Sequence, residues 1–395
     1  MLETRTNVIV RNWLLRIAII LALLAGVGAL ATRDADGETT RARLLGLETD
    51  NTGGYQRADG SLTLEFPRDF GPHNDFQSEW WYYTGNLQTA QGRHFGFQLT
   101  FFRRAIQPAE QRQPRDSEWA AEQVYMAHFT LTDVDAGSFR YFERFSRGSA
   151  GLAGAVIDPT YAVWLEDWSV EQVGEDAYRL RAAQDDLALD LRLIDQRGPV
   201  LQGDNGLSVK GPEPGNASYY YSQTRLLAEG TIRVPDGEFA VSGLSWKDHE
   251  FSTSALSPGV VGWDWFSLQL DDGSELMLYR LRHQDGSEDT FSSGTLVRVD
   301  SSTRTLAPED FRITATNEWR SPHSGATYPA GWKIEIPSEN ITLEITPYLS
   351  DQELNLSFVY WEGAVQVRGT LSGQPVAGSG YVELTGYESS MQGRL

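Results

Sequence analysis

Two stretches of this 395-residue chain set ionisable groups against large aromatic rings. In Trp246-Lys247-Asp248-His249-Glu250-Phe251, four ionisable side chains stand between two aromatics. In Glu79-Trp80-Trp81-Tyr82-Tyr83-Thr84, a carboxylate opens a run of four rings. Burying such groups couples their titrations, and an acid or imidazole kept protonated in a dry pocket can serve as a general acid. Asp248, His249, Glu250 and Glu79 are therefore the candidate catalytic groups. The competing reading of residues 246–251 is an exposed turn between domains, its charges simply solvated. Trp263-Asp264-Trp265 repeats the theme, but strand alternation turns Asp264 away from both indoles, and solvent is its expected surrounding.

The rings supply candidate walls for a ligand. In a strand, Glu79, Trp81 and Tyr83 share one face, and Trp80, Tyr82 and Thr84 the other. Two aromatic faces suit a wall between two apolar spaces, as in a small filled or ligand-holding barrel, or a strand covered by core on both sides. Trp246, Trp263 and Trp265 extend such a wall. His128 shares a face with Met126, Thr130 and Thr132, where a hydrogen-bonded structural role is the ordinary expectation. Alternation places Tyr219, Tyr221, Gln223 and Arg225 together, and Arg225 would pair with an internal acid or with a ligand carboxylate. The candidate ligand-binding set is thus Trp81, Tyr83, His128, Tyr221, Arg225, Trp246, Trp263 and Trp265.

Several chemistries lack their motifs. None of the six His residues falls in HExxH or His-x-His spacing, there is no Cys, and no metal or cofactor is expected. No Gly-x-Ser-x-Gly elbow and no Gly-rich phosphate loop occurs. The net charge of −21 argues against nucleic acid as a partner.

The elements that must position these groups read as strands. Runs rich in aromatic and β-branched residues recur from Leu62–Phe66 and Trp80–Leu87 through Gly380–Thr385, separated by turns such as Asp271-Asp272-Gly273. No long 3.6-residue period follows the N-terminus, so the fold class is all-β. The aromatic strand, turn and hydrophobic strand of Trp80–Phe97 recur in Trp263–Leu278, about 180 residues later, which fits two homologous β-domains. At the N-terminus, Arg5, Arg11 and Arg16 precede an uncharged run, Ile17 to Thr32, that ends in Ala29-Leu30-Ala31. This pattern predicts a signal peptide, or an anchor held positive-side-in. The expected organisation is 1–31 signal or anchor, 32–60 polar linker, 61–252 first domain and 253–395 second domain.

The motifs also carry a resemblance. Asp75-Phe76-Gln77-Ser78-Glu79-Trp80-Trp81-Tyr82-Tyr83-Thr84-Gly85-Asn86-Leu87, Met126-Ala127-His128-Phe129, Tyr220-Tyr221-Ser222-Gln223-Thr224-Arg225-Leu226, residues 246–251 and Gly380-Tyr381-Val382-Glu383-Leu384 look like the bacterial AttH family. That family is grouped with the carotenoid 1,2-hydratases (hydroxyneurosporene synthases). The resemblance implies two lipocalin-like antiparallel β-barrel domains packed side by side. It also implies an association with an ABC transporter permease; with the N-terminal pattern, the expectation is an exported, periplasmic protein. Its lipophilic isoprenoid or lipid ligand is expected near the domain junction, because residues 246–251 lie just before the second aromatic hairpin. The hydratase relationship implies the alternative, acid-catalysed hydration of a lipophilic alkene. The "predicted secreted hydrolase" description common in the family finds no nucleophile motif here. Membrane contact is expected only through an uncleaved N-terminus.

Overall fold

Strand alternation over Ser78–Gln88 explains why both of its faces are aromatic. Trp81 and Tyr83 point into the core of a first barrel, whereas Trp80 and Tyr82 join a second apolar cluster outside it. The computed structural model describes residues 53–112, 120–253 and 256–392. The segment expected to direct export lies outside the described residues.

Every strand pairing in the two large sheets is antiparallel. The first sheet places Ser78–Gln88 between His94–Ala105 and Gly237–Ser252, and runs on through Ala217–Val234 and Leu187–Asp195. It curls until Ser138–Arg147, at one end, contacts Ala162–Leu165 near the other. The second sheet places Val260–Leu270 between Glu275–His283 and Gln374–Leu384, followed by Val359–Leu371. The chain thus forms two lipocalin-like barrels, and the two aromatic hairpins hold equivalent places in them: each leading strand pairs with the next strand and with the last. Both barrels lie within one compact unit, Thr49–Leu395. Among the described residues the helical pieces are 3₁₀ turns of three residues, and no helix is long and apolar enough to cross a membrane.

The second barrel mirrors the first. On Val260–Leu270, Phe266 and Leu268 fill its core, while Trp263 and Trp265 face the first barrel. The seam between the barrels is therefore an aromatic layer built from the outward faces of two homologous hairpins. Its fully buried rings each remove apolar area worth roughly 2–3 kcal/mol from water, which is ample reason for the barrels to pack side by side.

Five expectations change. Residues 246–251 are no exposed turn: they lie in Gly237–Ser252, hydrogen-bonded on both sides, to Ser78–Gln88 and to Ala217–Val234. Asp264 does not face solvent; it points into the second barrel and is fully buried between Arg280, Arg282 and Tyr387. Alternation fails to group Arg225 with Tyr219 and Tyr221, because the pairing register shifts between Gln223 and Leu226 and such a bulge re-aims side chains. Leu62–Phe66 forms no strand; the backbone N–H groups of Gly60 and Leu62 instead donate to the Tyr219 hydroxyl. Part of the compositional linker also packs on the first barrel, with Ala58 buried and the Tyr55 hydroxyl donating to the Ala105 carbonyl at 3.0 Å.

Candidate functional site

Period-two geometry sorts the ionisable cluster of Gly237–Ser252 into two places. Trp246, Asp248 and Glu250 face the seam, whereas Lys247, His249 and Phe251 face the interior of the first barrel. Cross-strand register then builds rows of side chains. Tyr82, Asp248 and Ser222 form one row on the seam face, and Trp80, Glu250 and Tyr220 the next. Trp81, His249 and Tyr221 form a row on the opposite face.

The seam encloses a cavity of about 140 Å³, walled by Trp80, Tyr82, Phe102, Trp263, Trp265 and Phe358. That is close to the size of an apolar cavity that holds one benzene ring. Into this aromatic space the two barrels project Asp248, Glu250, Glu362 and Glu383.

Glu362 and Glu383 lie directly opposite one another on Val359–Leu371 and Gln374–Leu384, so their Cβ atoms are roughly 5 Å apart. Burial pushes the Glu362 carboxyl well above the usual range, and the neighbouring Glu383 raises it further. Burial likewise raises Glu383. Two carboxyls facing each other in a dry site cannot both ionise readily, so at least one keeps its proton at neutral pH. The Tyr82 hydroxyl donates to Glu362 Oε1 at 2.5 Å. A proton on Glu362 therefore resides on Oε2, a buried atom with no protein partner.

Asp248 is pushed up to about 7 by burial, against the hydrogen bonds it accepts from Ser222, Tyr220 and Trp246. Those donors lie at 2.5, 2.5 and 2.7 Å, and the Trp265 indole N–H donates in turn to the Tyr220 hydroxyl at 3.1 Å. Glu250 is paired with Lys210 at 3.5 Å, whose ammonium lies 3.8 Å from the Tyr279 ring centroid. The seam cavity thus combines a proton donor, an acid that titrates near neutrality and several π-faces able to stabilise a cation.

The interior of the first barrel holds a separate network. Glu79 Oε1 meets His249 Nε2 at 2.8 Å and His73 Nδ1 at 2.9 Å, and Arg103 donates to Oε2 at 2.8 Å. Burial works to raise the Glu79 carboxyl, but Arg103 and the two imidazoles hold it well below the usual range. Burial drives His249 down to about 4, so its ring is neutral at pH 7. His73, Glu79 and His249 bring their ligand atoms within 4.8 Å of each other. The Arg103 guanidinium, fully buried against Glu79, already supplies the countercharge a cation would bring, so the trio reads as an ion-pair network. Lys247 lies among the rings of Phe70, Tyr83, Tyr161, Tyr178 and Tyr221; burial lowers its amine to about 7.

The candidates from sequence accordingly divide three ways. Asp248, Glu250, Trp263 and Trp265 line the seam cavity, and Trp246 and His128 support it through hydrogen bonds to Asp248 and Tyr360. Glu79, His249, Trp81, Tyr83 and Tyr221 belong to the first barrel's interior. Arg225 pairs with Glu275 of the second barrel and donates to the Leu270 carbonyl at 3.0 Å. The sequence reading passed over Glu362, Gln98, Tyr82 and Tyr220 as site residues, and took Glu383 only as part of a motif. The available signal was a lone acid inside an apolar β-run, Val359-Tyr360-Trp361-Glu362-Gly363-Ala364-Val365.

The profile of a family described as AttH-like matches residues 57–387. An AttH protein of Nitrosomonas europaea is 37% identical, with 84% of this chain and 99% of that one superposed at a TM-score of 0.74. Kievitone hydratase of Nectria haematococca shares the fold at 16% identity and a TM-score of 0.62, over 85% of this chain and 96% of its own. A dehydratase of Emericella nidulans, AsqC, is 20% identical over 271 residues, which is 65% of this chain and 75% of that protein.

Proposed function

We propose, from the premise that this chain belongs to the AttH-like family, that its seam cavity adds water to a lipophilic alkene or removes it from the corresponding alcohol. The observation that carries this reading is the opposed pair Glu362–Glu383 inside an aromatic cavity, with the unpartnered Oε2 of Glu362 available as proton donor. The names of two relatives, a hydratase and a dehydratase, agree with it.

In the hydration direction, the π pair of the alkene takes the proton from Glu362 Oε2 and forms a C–H bond at the less substituted carbon. The cation left on the other carbon faces the rings of Trp80, Trp263 and Trp265. Water adds to it and loses a proton through the Tyr220 hydroxyl to Asp248, whose carboxylate is substantially populated near its pKa of about 7. Return of one proton to Glu362 closes the cycle, and dehydration follows the same steps in reverse. A cavity of about 140 Å³ admits only the reacting end of a substrate, one ring or one branched five-carbon unit.

The test is incubation of the purified protein with acyclic isoprenoid alkenes and their tertiary alcohols in ¹⁸O-labelled water, followed by mass spectrometry. Wild type should move label between water and alcohol. Glu362→Gln should reduce that exchange by about 10²–10⁴-fold, the usual worth of a general acid. Exchange at the wild-type rate in this variant overturns the assignment.

Carriage of a lipophile without turnover is the second reading, favoured by the aromatic lining. It ranks below catalysis because sites for drug-sized ligands usually offer about 300–1,000 Å³. In either case we propose export to the periplasm and action beside an ABC transporter permease. Cleavage near Ala31 would remove Arg5, Arg11 and Arg16 with Glu3, leaving a mature net charge of −21 − 2 = −23. N-terminal sequencing of the mature protein decides between cleavage and anchoring.

A further inference from the structure

A second unpartnered polar atom faces the seam cavity, and a chain of hydrogen bonds fixes its identity. Gln98 stands on the outward face of His94–Ala105, fully buried, and lines the cavity. Glu143 is half-buried; burial works to raise its carboxyl, but it is held below the usual range, His128 foremost among the groups that lower it, and its Oε1 lies 3.1 Å from His128 Nε2. Across the seam, His128 Nδ1 lies 2.7 Å from the Tyr360 hydroxyl. The Tyr360 oxygen accepts the amide N–H of Gln98 at 3.3 Å. That same amide nitrogen also donates to Thr100 Oγ1 at 2.9 Å. The orientation of the amide is thereby set, and its carbonyl, Oε1, remains buried without a partner.

Tyr360 and Glu362 stand two residues apart on one strand face. Tyr82 and Gln98 are diagonal neighbours across the first hairpin, since Tyr82 pairs with Thr100 and Thr84 with Gln98. Two hydrogen bonds therefore cross the seam side by side, Gln98 to Tyr360 and Tyr82 to Glu362. Each leaves one unsatisfied oxygen at the cavity, a fixed acceptor on Gln98 and a proton-bearing oxygen on Glu362. A hydroxyl group is the complement of this pair, because it donates one hydrogen and accepts another.

We infer that Gln98 is a specificity-determining residue, and that the ligand class of the seam cavity is a lipophile bearing a hydroxyl, its hydrogen accepted by Gln98 Oε1. Glu143, His128 and Tyr360 are positioning residues that hold the amide in this orientation. The inference rests on the seam cavity being the ligand site, but it concerns binding and not turnover.

The experiment titrates the full-length protein with 4-fluorophenol and 4-fluorotoluene by ¹⁹F NMR. The probes match in size and differ in the hydroxyl, and both should bind wild type. The phenol-to-toluene affinity ratio should fall about tenfold in Gln98→Leu, the worth of one net hydrogen bond, while toluene binding is retained. Gln98→Glu, which keeps an acceptor at the same place, should retain phenol binding. Should Gln98→Leu fold poorly by its thermal melt, Tyr360→Phe, which keeps the ring at the cavity wall and removes only the hydroxyl that holds the amide, should also lower the ratio. An unchanged ratio in a folded Gln98→Leu or Tyr360→Phe variant refutes the inference and leaves the hydratase reading standing. Absence of ¹⁸O exchange in wild type, with the ratio falling in Gln98→Leu as expected, does the reverse. Failure of both probes to bind wild type defeats both.

Discussion

Asp248 offers a direct test of whether the seam is as dry as its geometry indicates. Its carboxyl rises from 3.8 to about 7 on folding, chiefly through burial. The folded protein therefore holds this proton more tightly than the unfolded chain, and stability falls with rising pH between those two values. Stability from this group is fully present below about pH 4 and is lost as pH climbs through about 7. A shift of about three units at 1.36 kcal/mol each sets the loss at no more than about 4 kcal/mol. That is a large part of the roughly 5–15 kcal/mol that ordinarily separates folded from unfolded states. Other groups titrate in the same range: Glu362 and Glu383 act in the same direction, and Asp69 and Glu79, held low, act in the opposite one. Comparison with Asp248→Asn isolates the one group, since asparagine keeps the shape and an acceptor for Ser222 or Trp246 but carries no titrating proton. Urea unfolding of both proteins should be followed from pH 4 to 8. The stability of the variant relative to wild type should improve across that range by up to about 4 kcal/mol. Parallel pH curves would show that Asp248 ionises freely in the folded state, and the argument for a dry seam would fail with them.

Other perturbations separate the two sites. Glu79→Ala leaves Arg103 buried without its carboxylate and should cost about 3–5 kcal/mol in urea unfolding, while phenol binding at the seam is kept; lost binding in a folded variant would show that the two faces act together. Trp265→Ala should cost about 3–5 kcal/mol, as for large buried aromatics, and enlarge the cavity enough to bind a bicyclic probe that wild type excludes. Asp264→Ala should destabilise by a similar amount, because Arg280 and Arg282 lose their common partner; a neutral effect would restore the solvent-facing reading.

The sequence alone carried the fold class and its duplication. Period-two alternation with aromatic and β-branched residues has no helical counterpart, so the all-β character was legible, and so was the repeat of Trp80–Phe97 in Trp263–Leu278. The two aromatic faces of Ser78–Gln88 were also readable as a wall, because alternation is a local property of a strand. The identity of the acids in the seam was not. Glu362 stands opposite Glu383, and Tyr82 reaches Glu362 across 280 positions of sequence; which strands become neighbours depends on how both sheets close. Contiguity was misleading for the same reason. Asp248, His249 and Glu250 are adjacent in the chain, yet the pleat sends His249 into the first barrel and the two acids into the seam. Asp264 and Arg225 show the remaining gap: a carboxylate flanked by indoles looks solvent-facing until a second barrel closes over it, and a bulge shifts parity without any local signature. Backbone periodicity is written in neighbouring residues, whereas the burial and pairing that set the protonation of an acid come from groups that only folding brings together.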